Sequence, residues 1–171
     1  MKLEYYTLLV FLSLLFSGCT IVGKPKNIVY GNILTYEELE NLTSLKATRY
    51  RNKTYVAVNS NMLYYIYSDF WKIMHDYISG WESKFNCVHI TSLYVELAQL
   101  KFASKNFSYA SKAEALAIGE VWYRQDNAKN DTDHAIVIVY TNKGLLFIEP
   151  QTGNEIKLSD TEMKSIKYLS W

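Results

Sequence analysis

The chain has 171 residues, enough for one domain with a full hydrophobic core and too few to expect two. Its 18 basic and 17 acidic side chains give a net charge of +1, and no segment is conspicuously basic. Because nucleic-acid binding depends on clustered Lys and Arg, the composition argues against nucleic acid as a partner. The 15 tyrosines and 4 tryptophans indicate aromatic packing in the core and at interfaces.

The N-terminal segment has the pattern of an export signal. Lys2 is followed by an apolar run over residues 7–16, then by the small residues Ser17 and Gly18 before Cys19. Such a run suits a signal peptide and is short for a membrane span. The ending resembles a bacterial lipobox, which implies that Cys19 is lipidated and that the membrane is a partner through this lipid. An ordinary cleaved signal and an uncleaved anchor remain alternatives.

These features predict three segments. Residues 1–19 form the signal peptide ending at the lipidated Cys19, residues 20–31 form a tether, and residues 32–171 form a single domain. Every alternative for the N-terminus exports the chain, so we expect a cell-envelope protein anchored by lipid and facing the periplasm or the exterior. In a Gram-negative cell the membrane would be the outer one.

The chain contains two cysteines. If Cys19 carries lipid, Cys87 has no partner within the chain, and an odd cysteine in an exported protein indicates an intermolecular bridge or a functional thiol. A disulfide between Cys19 and Cys87 is the competing possibility.

The first half of the domain is mainly helical in pattern. Thr35 to Glu38 form a capping box that predicts a short helix. Residues 55–58 and 62–67 are aromatic and β-branched, which favours short strands or irregular segments. Ser68 and Asp69 are expected to cap a helix that continues to about Ser79. A longer amphipathic helix is predicted to begin at or just after Cys87.

The second half is mainly β. Residues 113–116 are short and suit a helix, and the strands predicted after them are 117–124, 135–141, 145–149, 155–158 and 166–169, with turns at residues 142–144 and 150–153. Helices followed by an antiparallel sheet predict an α+β fold, with the N-terminal helices packed on the sheet.

Three residues have the types and the order of a nucleophilic triad: Cys87, His134 and Glu149. A thiol at a helix N-terminus is favoured as the thiolate by the unpaired backbone N–H groups and the helix dipole. If residues 142 and 143 form a two-residue turn, His134 and Glu149 become diagonal neighbours on one face of a hairpin, within side-chain reach. Glu149 would then orient the imidazole while His134 takes the thiol proton. Each residue taken alone has an ordinary structural explanation.

Residues 81–99, 117–123 and 133–158 carry a family resemblance, with Glu149-Pro150-Gln151-Thr152-Gly153 as its most specific part. The chain resembles the transglutaminase-like and papain-like cysteine peptidases. It is most similar to a group of small bacterial and phage proteins and to the protease domain of some mushroom agglutinins. The resemblance implies a papain-like or transglutaminase-like fold, with Cys87 as nucleophile, His134 as base and Glu149 as the residue that orients the base.

One departure concerns metal ions. The relatives have acidic residues after the cysteine, associated in the agglutinins with calcium, and here Val88 and His89 stand in those places. Calcium prefers carboxylate and carbonyl oxygens, so calcium activation is not expected. A zinc site of Cys87, His89 and His134 is not favoured either, because His89 lies two residues past Cys87 on a different helix face. No metal site and no cofactor are predicted.

The sequence therefore predicts an exported, lipid-anchored cysteine hydrolase, a peptidase or amidase that forms a thioacyl intermediate on a protein or peptidoglycan substrate. The alternatives are a peptidoglycan endopeptidase of the NlpC type and a catalytically inactive binding protein anchored at the envelope.

Overall fold

The computed structural model describes residues 32–77, 85–104, 112–126 and 133–171. The predicted signal, the lipidation of Cys19 and the tether fall in residues 1–31 and lie outside the described residues. None of the described helices has both the length and the apolar character that a membrane span requires.

Helices and short strands alternate in the first half, and strands dominate the second. The elements in chain order are β1 Ile33–Thr35, α1 Tyr36–Thr43, β2 Thr54–Val56, α2 Ser60–Tyr77, α3 Cys87–Ala103, β3 Ala115–Leu116, β4 Ile118–Arg124, β5 Asp133–Thr141, β6 Gly144–Glu149, β7 Asn154–Ile156, α4 Asp160–Lys164 and β8 Tyr168–Ser170. The larger sheet has the order β7-β6-β5-β4-β8 and is antiparallel throughout, and the smaller has the order β1-β2-β3. The predicted α+β class is confirmed.

The central strands of the larger sheet are covered on both faces. Along β5 the buried side chains alternate between two hydrophobic clusters, with Val137 and Val139 in the cluster under α2 and α3, and Ile136 and Ile138 in the cluster that includes Leu39 and Trp171. This alternation follows from the two-residue period of a strand. Because both faces are covered, β5 reads as an unbroken apolar run in the sequence.

The capping box at the start of α1 is confirmed. Thr35 accepts a hydrogen bond from the Glu38 backbone N–H at 3.2 Å, and the Glu38 carboxylate accepts one from the Thr35 N–H at 2.7 Å. These two bonds satisfy two N–H groups that the helix start would otherwise leave unpaired.

Two local predictions are wrong. Residues 62–67 belong to α2, which begins at Ser60 rather than at Asp69, because Met62, Ile66, Phe70 and Met74 recur every four residues and all are buried. Residues 113–116 contain β3 rather than a helix, since Ala115 and Leu116 pair in parallel with β2.

The edge strand β8 lies very close to its neighbour β4 beside Gly119. Residue 120 of β4 pairs with Ser170 of β8, and the Ser170 carbonyl oxygen lies where a side chain on Gly119 would begin. A Cβ built on Gly119 would stand 1.9 Å from that oxygen. Glycine is therefore required at position 119 for β8 to reach β4.

Candidate functional site

Cys87 occupies the first position of α3, as predicted. It is a free thiol and partly exposed. The helix starts there because Asn86 is extended and its side-chain oxygen accepts a hydrogen bond from the Val88 N–H at 3.1 Å. The same start directs the helix dipole and backbone N–H groups toward the sulfur.

Replacing Asn86 with Ala is expected to lower the free energy of unfolding by about 1 kcal/mol, because the N-terminal cap of α3 is lost. Urea denaturation measures the change. The matched variant Asn86→Asp keeps the accepting oxygen and should retain most of the stability. An Asp variant as unstable as the Ala variant would contradict the capping role.

The β5–β6 hairpin brings His134 and Glu149 together. The turn occupies residues 142 and 143, with Thr141 opposite Gly144. His134 Nε2 lies 2.7 Å from Glu149 Oε2, and both side chains are largely buried. The second carboxylate oxygen of Glu149 accepts a hydrogen bond from the Gln151 N–H at 3.1 Å, which fixes the carboxylate from the other side.

Helix α3 reaches the start of β5, so Cys87 meets the hairpin. The Thr91 hydroxyl, one turn along α3, donates to the Ala135 carbonyl at 3.0 Å. The Cys87 side chain hydrogen-bonds His134 and also the backbone of Ala135 and Val88. The structure thus brings Cys87, His134 and Glu149 into one chain of contacts, although they come from three separate segments.

The pKa values of the thiol and the imidazole shift in opposite directions. The hydrogen bond with His134 lowers the pKa of Cys87 below its ordinary value, against the opposing effect of burial. Burial opposes the charge on His134, but its hydrogen bonds with Cys87 and Glu149 outweigh this effect and raise its pKa to about 9. Both shifts favour transfer of the thiol proton to the ring, giving a thiolate and an imidazolium, and a thiolate is the form of cysteine that reacts with electrophiles.

His89 does not join this group. Its Nδ1 lies 3.1 Å from the Asn86 side-chain oxygen, and its ring stacks on Phe85 with 5.6 Å between the ring centroids. Within the described part of the chain, no cluster of three or more His, Cys, Asp or Glu side chains is arranged to hold a metal ion.

A groove beside the hairpin was missed by the reasoning from sequence. It lies between α2, α3 and the β6–β7 hairpin and encloses about 280 Å³, with Tyr64, Tyr67, Tyr94, Leu146, Ile148 and Glu155 in its wall. We call it the tyrosine groove. Tyr64 is 70 % exposed, and the Tyr67 ring stacks on half-exposed Trp71 with a centroid distance of 6.4 Å. The helical spacing of Tyr64, Tyr67 and Trp71 could have indicated an aromatic face on a helix. It was overlooked because residues 62–67 were predicted to form short strands or irregular segments.

Comparisons with known proteins give a structural likeness alone. No family model matches the chain, and no curated protein matches it. A solved structure of Polyporus squamosus lectin, bound to a human-type influenza-binding epitope, Neu5Acα2-6Galβ1-4GlcNAc, superposes with a TM-score of 0.60 at 14 % identity over 81 % of this chain and 49 % of the lectin. A PSL1a–E64 complex gives a TM-score of 0.57 at 16 % identity over 81 % of this chain and 50 % of the other. The chain spans about half the length of these structures and shares their fold over that part.

These comparisons correct the family prediction. The similar structures are those of a lectin, so the identification of the chain as a papain-like or transglutaminase-like cysteine peptidase is wrong. The prediction of a cysteine hydrolase is corrected with it, and so is the papain-like part of the fold prediction, because all of them depended on that resemblance. The catalytic roles assigned to Cys87, His134 and Glu149 stay predictions from their order and contacts.

Proposed function

We propose that the chain is a glycan-binding protein whose tyrosine groove holds a neutral oligosaccharide. The observation that carries the proposal is the wall of the groove, where the Tyr64 ring is exposed and the Tyr67 ring is half-buried beside a cavity of about 280 Å³. Exposed aromatic groups beside a concave surface are typical of ligand grooves. The lectin likeness supports a binding role without identifying the ligand.

The chemistry of the wall suits a sugar. The C–H groups on one face of a pyranose ring pack against an aromatic ring, and exposed Tyr64 offers such a surface at the rim. Burial raises the pKa values of Tyr67 and Tyr94, so both phenols stay neutral and keep their O–H donors at physiological pH. The exposed Glu155 supplies a carboxylate, which accepts hydrogen bonds from sugar hydroxyls.

The charge of the groove selects against acidic sugars. Glu155 is the one ionisable carboxylate among the described residues that line it, and no Lys or Arg is among them. A sialic acid carboxylate brought beside Glu155 would be repelled. We therefore expect Galβ1-4GlcNAc to bind better than the sialylated epitope bound by the Polyporus squamosus lectin.

The predicted lipid on Cys19 completes the proposal. A short tether at residues 20–31 would hold the glycan-binding domain at the envelope surface, within reach of saccharides outside the cell. Several copies in one membrane would engage a branched glycan together, which compensates for weak binding at a single groove.

Glycan-array binding followed by isothermal titration with Galβ1-4GlcNAc tests the proposal. Replacing Tyr64 with Ala should weaken binding about tenfold, because the stacking surface is removed. Tyr77→Ala is the matched control, since Tyr77 is on the same helix, is 83 % exposed and is not among the residues lining the groove.

Two results would overturn the proposal. One is the absence of binding to any neutral glycan, or equal loss in the Tyr64 and Tyr77 variants. The other is hydrolysis of a peptide or muropeptide that is abolished in the Cys87→Ala variant and unaffected in the Tyr64→Ala variant. That result would show that the Cys87 thiol is at the active site of the protein.

A further inference from the structure

A second cavity lies on the other side of α3, remote from Cys87 and from the tyrosine groove. It encloses about 340 Å³, and its wall includes Arg51, Gln99, Phe102, Glu120 and Trp171. Val95 of this wall is eight residues beyond Cys87, which corresponds to about 12 Å along the helix axis at 1.5 Å per residue. The volume is within the range of small-molecule sites.

Two buried polar groups in this wall are incompletely satisfied. Glu120 is 6 % exposed and, within the described part of the chain, accepts one hydrogen bond, from the Ser92 hydroxyl at 2.7 Å, and forms no ion pair. Trp171 is 2 % exposed, and its indole N–H has no hydrogen-bond partner among the residues that the structure describes. A buried carboxylate and a buried donor both cost free energy until a partner reaches them.

The charges of the wall favour a cation. Three carboxylates line the cavity, those of Glu96, Glu114 and Glu120, against one guanidinium, that of Arg51. Arg51 is paired with Glu96, and its pKa is raised mainly by that hydrogen bond, with a smaller electrostatic contribution from Glu120, so the guanidinium offsets part of the negative charge of the wall. Gln99 is engaged as well, through both of its side-chain polar atoms, with the Leu116 backbone.

We propose that this cavity binds a small organic ammonium ion. The ammonium group would donate to the Glu120 carboxylate, whose one hydrogen bond within the described part of the chain comes from the Ser92 hydroxyl. Phe102 and Trp171 supply aromatic walls for the carbon skeleton and, where the geometry allows, a cation–π contact. This site is independent of the tyrosine groove, and the proposal does not rest on glycan binding.

Diethanolamine and diethylene glycol are the probes, because they have the same length and the same two hydroxyls and differ in the central group, an ammonium or an ether oxygen. Titrations at pH 7 are followed through the Trp171 indole N–H resonance, assigned with Trp171→Phe. We expect diethanolamine to bind at least tenfold more tightly than the glycol.

Three variants identify the site. Glu120→Gln keeps an oxygen for the Ser92 hydroxyl and removes the charge, so it should weaken diethanolamine binding at least tenfold. Ala103→Trp adds bulk at an exposed position of the cavity wall and should block both probes while leaving every charge in place. Leu100→Trp, at a 66 % exposed position of the same helix outside the wall, is the matched control and should bind as the wild type does.

Equal affinity for the two probes would overturn the role of charge, and no binding of either would overturn the site. Unchanged binding in Ala103→Trp would place the probe elsewhere on the protein and overturn the proposal too. Because Ala103 is exposed, this last variant remains decisive if Glu120→Gln fails to fold.

Discussion

Replacing His134 with Ala is expected to slow the alkylation of Cys87 by iodoacetamide at pH 6.5 by roughly fivefold or more. The hydrogen bond from His134 is the largest cause of the lowered thiol pKa, so its loss moves that pKa upward. Each pKa unit removes about tenfold of the thiolate at a pH below the pKa, and the greater reactivity of a more basic thiolate recovers part of the rate. The rate is read by mass spectrometry of the peptide that contains Cys87, as a function of pH.

The direction of the pH dependence follows from the two shifts. The wild-type alkylation rate should rise at a lower pH than that of an ordinary thiol, because the pKa of Cys87 is lowered. In the His134→Ala variant the rise should move toward the ordinary value. Glu149→Gln should give an intermediate profile, since Glu149 supports the charge on His134.

The same pair has a defined effect on stability. The raised pKa of His134 contributes stability that is complete below about 6.5 and is lost as the pH rises through about 9. The lowered pKa of Cys87 contributes in the opposite sense, above the ordinary thiol value, and is lost as the pH falls through the lowered one. The two contributions therefore change in opposite directions as the pH rises, because the lowered thiol pKa and the raised imidazole pKa both favour moving one proton from the thiol to the ring.

His75→Ala is the control for these measurements, since His75 is exposed on α2 and paired with neighbouring Asp76. An alkylation profile of the His134 variant that superposes on the wild-type profile would contradict the thiolate–imidazolium pair.

The second large effect is expected at Gly119. Gly119→Ala should lower the free energy of unfolding by about 3 kcal/mol, because the new methyl group would meet the Ser170 carbonyl oxygen and the backbone has no room to give. Either β8 detaches from β4, or the sheet deforms around it. Urea or thermal unfolding measures the loss, which is a large part of the stability of an ordinary domain.

Gly144→Ala separates steric overlap from backbone strain. Gly144 has a φ of 116° and no atom within 4 Å of an added Cβ, so its substitution costs strain alone, about 1 kcal/mol. A Gly119 variant no less stable than the Gly144 variant would show that β8 is not held against β4 as described.

The sequence was most informative where the pattern was local. The β5–β6 hairpin followed from two apolar runs joined by a two-residue turn, and the contact of His134 with Glu149 followed from that register. The start of α3 at Cys87 was equally local. The prediction of short strands or irregular segments for residues 62–67 was wrong. Tyr and Ile favour strands intrinsically, but the four-residue spacing of buried Met62 and Ile66 determined a helix.

The two cavities could not be predicted from local patterns, because elements that are distant in the sequence form them. The tyrosine groove is formed by α2, α3 and the β6–β7 hairpin, and the second cavity by α3, β4 and the residues around β8. The helix α4 was missed although Ser159 and Glu162 form a capping box that the sequence displays. The peptidase prediction failed for another reason, since three residues in a familiar order do not identify a family.

Strand β8 joins parts of the polypeptide that are synthesised far apart in time. The Leu169 carbonyl accepts hydrogen bonds from the Thr48 and Arg49 N–H groups at 2.8 and 3.2 Å, and the Thr48 hydroxyl accepts one from the Leu169 N–H. During translation, the Thr48 hydroxyl therefore has no Leu169 N–H to pair with until 121 further residues have been added. Contacts of such long range form late. A nascent chain therefore cannot complete the five-stranded sheet until residues 168–170 have been synthesised.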